Sequence, residues 1–374
     1  MRGYNKGLED KSMFVGGEFY YDTFWLRDRP TLSTENMTFL NGGKACLIVI
    51  SDYLLDHGIR KILLPSYLCP TIVTTLERCG LACEYYQINP DFSIDLDDLA
   101  RKAITYQAVY FINYFGFIHP PAVRSYLAGL QQKGVVVVED NAQAGFTNHN
   151  TGDFIFNSMR KLAAYDGGYL ITPYEVMPYL NKHQGKPNRR LPVIRKYRED
   201  LATYLFQGTG NHDELVNMYE LAEKYYETDF MVEGDPQERE KIERLDWKGI
   251  KQVRRENYKY LLSLISGMPE LSPIFPTHQE DVMPLGLPVY VSGISRDWLF
   301  DELGNAGIGL TIHRGGLLSD PRLNGNRVAV YMASRILTLV IDQRTSHKQM
   351  DYLVQKLINC IKAAKMCSPF LAST

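Results

Sequence analysis

The sequence predicts an α/β fold with a mostly parallel sheet in a large domain, followed by a small C-terminal α+β domain. Three observations predict it. Short apolar runs alternate with helix-patterned segments through the first half. The most apolar run, Val135-Val136-Val137-Val138, is unbroken and β-branched, as in strands covered on both faces of a parallel sheet. Pro269, Pro273 and Pro276 then punctuate the chain before a stretch of mixed short strands and helices. These place a large domain over residues 1–265 and a small one over 266–374. Two unequal domains suit 374 residues better than one ordinary core.

Each element follows from local pattern. Residues 1–37 read as irregular, with Gly16-Gly17 and Pro30 as breakers. Gly42-Gly43 opens an apolar helix from Ala45 to Leu55, and a glycine pair there lets an anion approach the helix N-terminus. Ile62 to Pro65 reads as a short buried strand, Thr71 to Arg78 as a helix, and Ala82 to Ile88 as a strand. Asp95 to Lys102 reads as a helix and Ala108 to Asn113 as a strand. Pro121 to Gln132 reads as a helix ended by Gly134. After the valine strand, residues 187–243 are charged and helix-prone, and Trp247 to Ile265 reads as one long helix. In the last part, Leu287 to Val291, Ala329 to Met332 and Ile336 to Ile341 are strand candidates. Trp298 to Ala306 and Met350 to Ala364 are helix candidates.

Composition excludes several function classes. The chain is 45% hydrophobic and 22% charged, values ordinary for a globular protein. A net charge of −2 gives no global basic field for nucleic acid or an anionic membrane. No apolar run approaches the ~20 residues of a membrane helix, and the first residues lack the apolar core of a signal peptide. The six cysteines form no Cys-x-x-Cys pair and no zinc-like spacing, so no metal site is expected. They read as reduced thiols of a cytoplasmic protein. The Gly-x-x-x-x-Gly-Lys-Ser/Thr phosphate loop is absent, and no Gly-x-Gly-x-x-Gly follows a strand.

The candidate chemistry lies at Asp140 and Lys161. Asp140 ends the valine strand, where ligands of such sheets gather. Lys161 follows in Ser158-Met159-Arg160-Lys161, ahead of Gly167-Gly168. An amine able to form a Schiff base and a carboxylate able to pair with a protonated ring nitrogen are what pyridoxal phosphate (PLP) chemistry needs. Ser158 and the Gly42-Gly43-Lys44 backbone could meet a phosphate. Taken singly, each feature has a plainer reading: a surface lysine, a capping acid, a turn glycine pair. His313, Arg314 and Arg335 are weaker substrate candidates, with a polar loop and a structural ion pair as their plainer readings.

Several segments, in order, resemble the DegT/StrS family of PLP-dependent sugar aminotransferases. They are Asn41-Gly42-Gly43-Lys44-Ala45, Leu64 to Thr71, Val109 to Gly116, Glu139-Asp140-Asn141-Ala142-Gln143-Ala144, Ser158 to Lys161, and Ser334 to Leu339. The resemblance implies the PLP-dependent transferase fold type I. It implies Lys161 as the Schiff-base residue, Asp140 at the pyridinium and Gln143 beside the ring. Ser158 and the Gly42-Gly43-Lys44 backbone would hold the phosphate. It further implies an amino donor, usually glutamate, a nucleotide-linked keto sugar as acceptor, and a homodimer. Departures are the short Asp140–Lys161 spacing, Ser-x-x-Lys in place of Ser-Phe-x-x-x-Lys, and Cys69 where an aromatic often stacks on the ring. The family's Asn-x-Arg segment has no clean counterpart in residues 181–245, which are the candidate for a segment crossing to a partner. Sugar dehydration and a regulator without turnover are the alternative functions; dehydrating relatives replace the lysine that stands here at 161.

Overall fold

The computed structural model describes residues 14–367 except 149, 278, 314 and 322–324. Along the chain the elements are β1 (Val15–Gly16), β2 (Thr38–Leu40), α1 (Gly43–Asp56), β3 (Lys61–Pro65), α2 (Pro70–Cys79), β4 (Ala82–Tyr86), α3 (Leu96–Ala103), β5 (Ala108–Ile112), α4 (Pro121–Gln131), β6 (Val136–Asp140), β7 (Phe154–Phe156) and β8 (Gly168–Ile171). Then follow α5 (Met177–Asn181), α6 (Arg190–Gln207), α7 (His212–Thr228), α8 (Pro236–Arg244), α9 (Trp247–Ile265), β9 (Leu271–Pro273), β10 (Leu287–Val291), α10 (Arg296–Asn305), β11 (Ile308–Gly309), α11 (Arg327–Arg335), β12 (Ile336–Leu339) and α12 (His347–Cys367).

Seven strands form the main sheet in the order β2-β8-β7-β6-β5-β3-β4. The run from β7 through β6, β5 and β3 to β4 is parallel; β8 is antiparallel to both of its neighbours, β7 and the edge strand β2. Strand β5 is buried along its whole length, which explains its lack of polar–apolar alternation. Each branched side chain buried there contributes about 1.5–3 kcal/mol. The parallel register sets Ile112 beside Asp140 and Asp140 beside Phe156, so three strands end together on one rim of the sheet.

A second sheet, β12-β10-β9, is antiparallel, with α9 and α12 packed against each other and α9 against β10. Ala329–Met332, expected as a strand, lies inside helix α11. Asn326 caps that helix by accepting a hydrogen bond from the Ala329 amide at 3.0 Å. A four-residue apolar window cannot separate strand from helix; the cap decides it. The N-terminal region, expected to be irregular, contributes β1, which pairs in parallel with β11. No helix among the described residues is long and apolar enough to cross a membrane.

Candidate active site

The N-terminus of α1 abuts the rim where β6 and β7 end. Gly42 precedes the helix at φ 121°, a region that favours glycine, and no side chain caps the helix. Backbones crowd here: a Cβ on Gly168 would lie 2.3 Å from the Asn157 carbonyl oxygen and 3.1 Å from Gly42 Cα. A Cβ on Gly43 would lie 3.2 Å from the Phe156 ring and 3.6 Å from Ser158 Cβ. Small residues therefore leave a narrow cradle between the first turn of α1 and the Ser158 side chain.

Asp140 is 4% exposed. Its Oδ2 accepts a hydrogen bond from the Tyr110 hydroxyl at 2.6 Å and its Oδ1 one from the Ala142 amide at 2.7 Å. Gln143 is also buried, and its Oε1 accepts from the Phe115 amide at 2.8 Å. That bond holds the turn after β5, where Phe115 adopts φ 54°, uncommon for a bulky residue. Glu139 points to the other face of the strand. Burial raises its pKa, against opposing hydrogen bonds from the Thr151 and Gly152 amides and from Asn141 and Asn113. Alternation along β6 thus gives one acid to the site and the other to the loop behind it.

Asp140, Gln143, Ser158, Lys161, Gly43 and Lys44 line one cavity of about 100 Å³, together with Cys69, Tyr110, Arg160 and Tyr226. A second, outer cavity of about 270 Å³ lies beside it, and Arg160 and Lys161 belong to the walls of both. His313 lines the outer cavity. Its ring meets Phe115 edge to face, with centroids 5.3 Å apart. Arg335 lines neither: it is exposed and lies over the Tyr331 ring at 4.5 Å. Arg314 falls outside the described residues. No group of three or more His, Cys, Asp or Glu able to hold a metal occurs among the described residues.

Two features were not foreseen. The first is how the hairpin of α6 and α7, drawn from the segment expected to cross to a partner, packs within its own chain. Lys44 Nζ donates to the carbonyls of Tyr226, Glu227 and Asp229 at 2.7, 2.8 and 3.0 Å, gathering the C-terminal end of α7. The Lys44 side chain is therefore spent on a helix end rather than on the cradle. Tyr226 then covers the Arg160 guanidinium at 4.1 Å, and Glu223 pairs with it at 3.0 Å. The second is the N-terminal strap. Gly16, Gly17, Glu18 and Phe19 line the outer cavity. Arg344 donates to the carbonyls of Glu18 at 2.9 Å and Gly17 at 3.1 Å and lies over the Phe19 ring at 4.1 Å. Gly16 is at φ 73°, and a Cβ there would lie 2.7 Å from the Gly309 carbonyl oxygen.

No family model matches the sequence, and a search of curated proteins gives no significant match. Solved structures do match in architecture. The putative sugar aminotransferase Spr1654 from Streptococcus pneumoniae, in its PMP form, shares 16% identity over 98% of this chain and 99% of its own, with a TM-score of 0.64. DesI in the presence of its TDP-sugar product shares 15% over 89% and 82%, with a TM-score of 0.65. The Escherichia coli GDP-4-keto-6-deoxy-D-mannose-3-dehydratase with bound hydrated PLP shares 19% over 86% and 87%, with a TM-score of 0.62. By its sheet order, its length and these superpositions, the chain has the PLP-dependent transferase fold type I.

Proposed function

We propose that this protein is a PLP-dependent aminotransferase, moving an amino group from an amino acid such as glutamate to a nucleotide-linked keto sugar. The observation that carries this reading is the wall of the inner cavity. A buried carboxylate, a lysine, a serine hydroxyl and an uncapped helix N-terminus share it. The donor set fits the cofactor, since the cradle between Gly42-Gly43 and Ser158 would take a phosphate at a helix N-terminus. The names of the solved structures with this fold support the substrate class.

PLP bound here would supply an electron sink for breaking bonds at the amino-bearing carbon. The first-turn amides of α1 and Ser158 Oγ would fix the phosphate. Asp140, oriented by Tyr110 and the Ala142 amide, would lie against the ring nitrogen and favour its protonated form. Lys161 would hold the cofactor covalently between turnovers. Once released, its Nζ would take and return the proton at the substrate carbon, a positioned acid and base. Gln143 and the Phe115 turn would keep the rim closed to bulk water. Retention of Lys161 favours amino transfer over dehydration.

The test is chemical labelling. After incubation with PLP and borohydride reduction, peptide mapping should place a pyridoxyl label on Lys161, and Lys161→Ala should abolish it. A label on another lysine would overturn the assignment. Turnover with glutamate and a nucleotide-linked keto sugar separates the enzyme from a labelled but inactive regulator.

A further inference from the structure

Arg160 stands between the two cavities with one edge uncommitted. Its Nη1 donates to Glu223 at 3.0 Å. Its Nε is buried and meets no acceptor among the described residues, and no acceptor for Nη2 is found among them either. The side chain is 24% exposed, and it lines both cavities. Nε and Nη2 form the side-on edge of a guanidinium, the fork that matches the two oxygens of a carboxylate.

The surrounding charges leave that edge positive. Arg160 and Arg190 share Glu223, and Arg190 and Arg198 share Asp166. Three guanidinium groups thus face two carboxylates at the cavity end of the cluster. The compensating charge adjoins Asp166: buried Glu238 accepts from the Asp166 amide at 2.7 Å and, with the partly exposed Asp235, also holds Arg195. Besides Lys161, the other charged groups on the outer cavity have partners of their own. Asp342 pairs with Arg344 at 2.7 Å, and Glu18 accepts from the Tyr219 hydroxyl at 2.8 Å. Arg254 donates to Gln343 and to the carbonyls of Pro284, Leu285 and Leu162. Burial alone would make Arg160 less basic, but Glu223, Tyr226, Tyr219 and Asp166 together outweigh it and hold its pKa above the usual guanidinium value.

We propose that the Nε–Nη2 edge of Arg160 is the receptor for a carboxylate of the amino donor, presented from the outer cavity. This rests on the aminotransferase reading for the identity of the ligand, though not for the existence of the receptor. Tyr226 and Glu223 hold the guanidinium in place, and Lys161 lines the same two cavities. A lysine at position 160 would keep the charge and lose the fork. A phosphate of the acceptor's nucleotide or of the cofactor is the competing anion for the same edge.

Calorimetric titration with glutarate, an unreactive dicarboxylate, tests the receptor without turnover; PLP uptake is followed separately by visible absorbance. Arg160→Gln should weaken glutarate about 10- to 100-fold and change the PLP dissociation constant less than about threefold. Arg160→Lys should lie between wild type and Gln. Glu223→Gln, which removes a negative charge from the neighbouring Nη1, should tighten glutarate, an outcome that misfolding would not imitate. Unchanged glutarate affinity in Arg160→Gln overturns the proposal. So does a loss of PLP affinity with glutarate intact, or competition by inorganic phosphate as strong as by glutarate. A protein that takes up no PLP yet binds glutarate through Arg160 would remove only the proposed function.

Discussion

Asp140 receives a hydrogen bond on each carboxylate oxygen, so its position is fixed before any ligand arrives. Asp140→Asn should leave the fold intact and lower transamination by orders of magnitude, because an electrostatic contribution of several kcal/mol is lost. Tyr110→Phe should cost far less. One hydrogen bond from a hydroxyl to a carboxylate is worth about 1.5–3 kcal/mol, and the Ala142 amide remains. Steady-state rates beside circular dichroism check both, and an active Asp140→Asn would remove the residue from the mechanism. A second residue-level expectation concerns His119, which is buried at the end of β5 with Nε2 2.9 Å from the Ile112 carbonyl oxygen. Burial lowers its pKa from 6.5 to about 4, against a smaller opposing effect of that hydrogen bond. Between those values the unfolded chain binds more protons than the folded one. Stability should therefore fall as pH drops from about 6.5 to 4, by about 3 kcal/mol from this group. His119→Gln should flatten that part of a denaturant-midpoint profile; an unaltered slope would assign it elsewhere. At this scale, Asp140 and Lys161 were legible because strand end and lysine lie close in sequence. Arg160 was not, because its meaning comes from Glu223 and Tyr226, far along the chain.

Among elements, helix α7 depends on a residue outside it. The carbonyls of its Tyr226 and Glu227, and of Asp229 that caps it, converge on Lys44, whose own backbone belongs to the first turn of α1. Lys44→Met should destabilise the protein by about 2–3 kcal/mol. It should also speed amide exchange over residues 220–229 before any global change. Uniform exchange across the chain would show that the lysine does not anchor this helix. Elements set by local chemistry were readable: the valine strand, the glycine-opened α1 and the proline-started α2. Strand β7, three residues long between polar loops, gave too short a pattern to read. The hairpin of α6 and α7 was recognisable as helical, but its direction was not. That direction is set by ion pairs such as Arg190 with Glu223 and Arg198 with Asp166, and pairing across such distances leaves no periodic trace.

For the whole molecule, we expect a homodimer, the commonest closed assembly of soluble proteins. Light scattering at micromolar concentration should give about twice the 42.8 kDa chain mass. A monomer with full turnover would show that one chain's α6 and α7 suffice to close the inner cavity. The alternation of strand and helix made the parallel sheet predictable from sequence. The pairing of β1 with β11 was not, since two-residue strands from opposite ends of the chain carry no signal of each other.

That pairing bears on how the protein can be handled in the laboratory. Residues 16–19 sit far from Lys161 in sequence, yet they form part of the wall of a cavity that it also lines. Proteolytic trimming as far as Phe19 would spare the seven-stranded sheet. It would nevertheless strip Arg344 of two backbone acceptors and open one side of the outer cavity to solvent. An affinity handle fused directly at Phe14 would load the same strap, whose Phe14 carbonyl is held by Gln349 Nε2 at 2.7 Å. A preparation shortened to residue 20 should therefore still take up PLP while its hold on glutarate weakens.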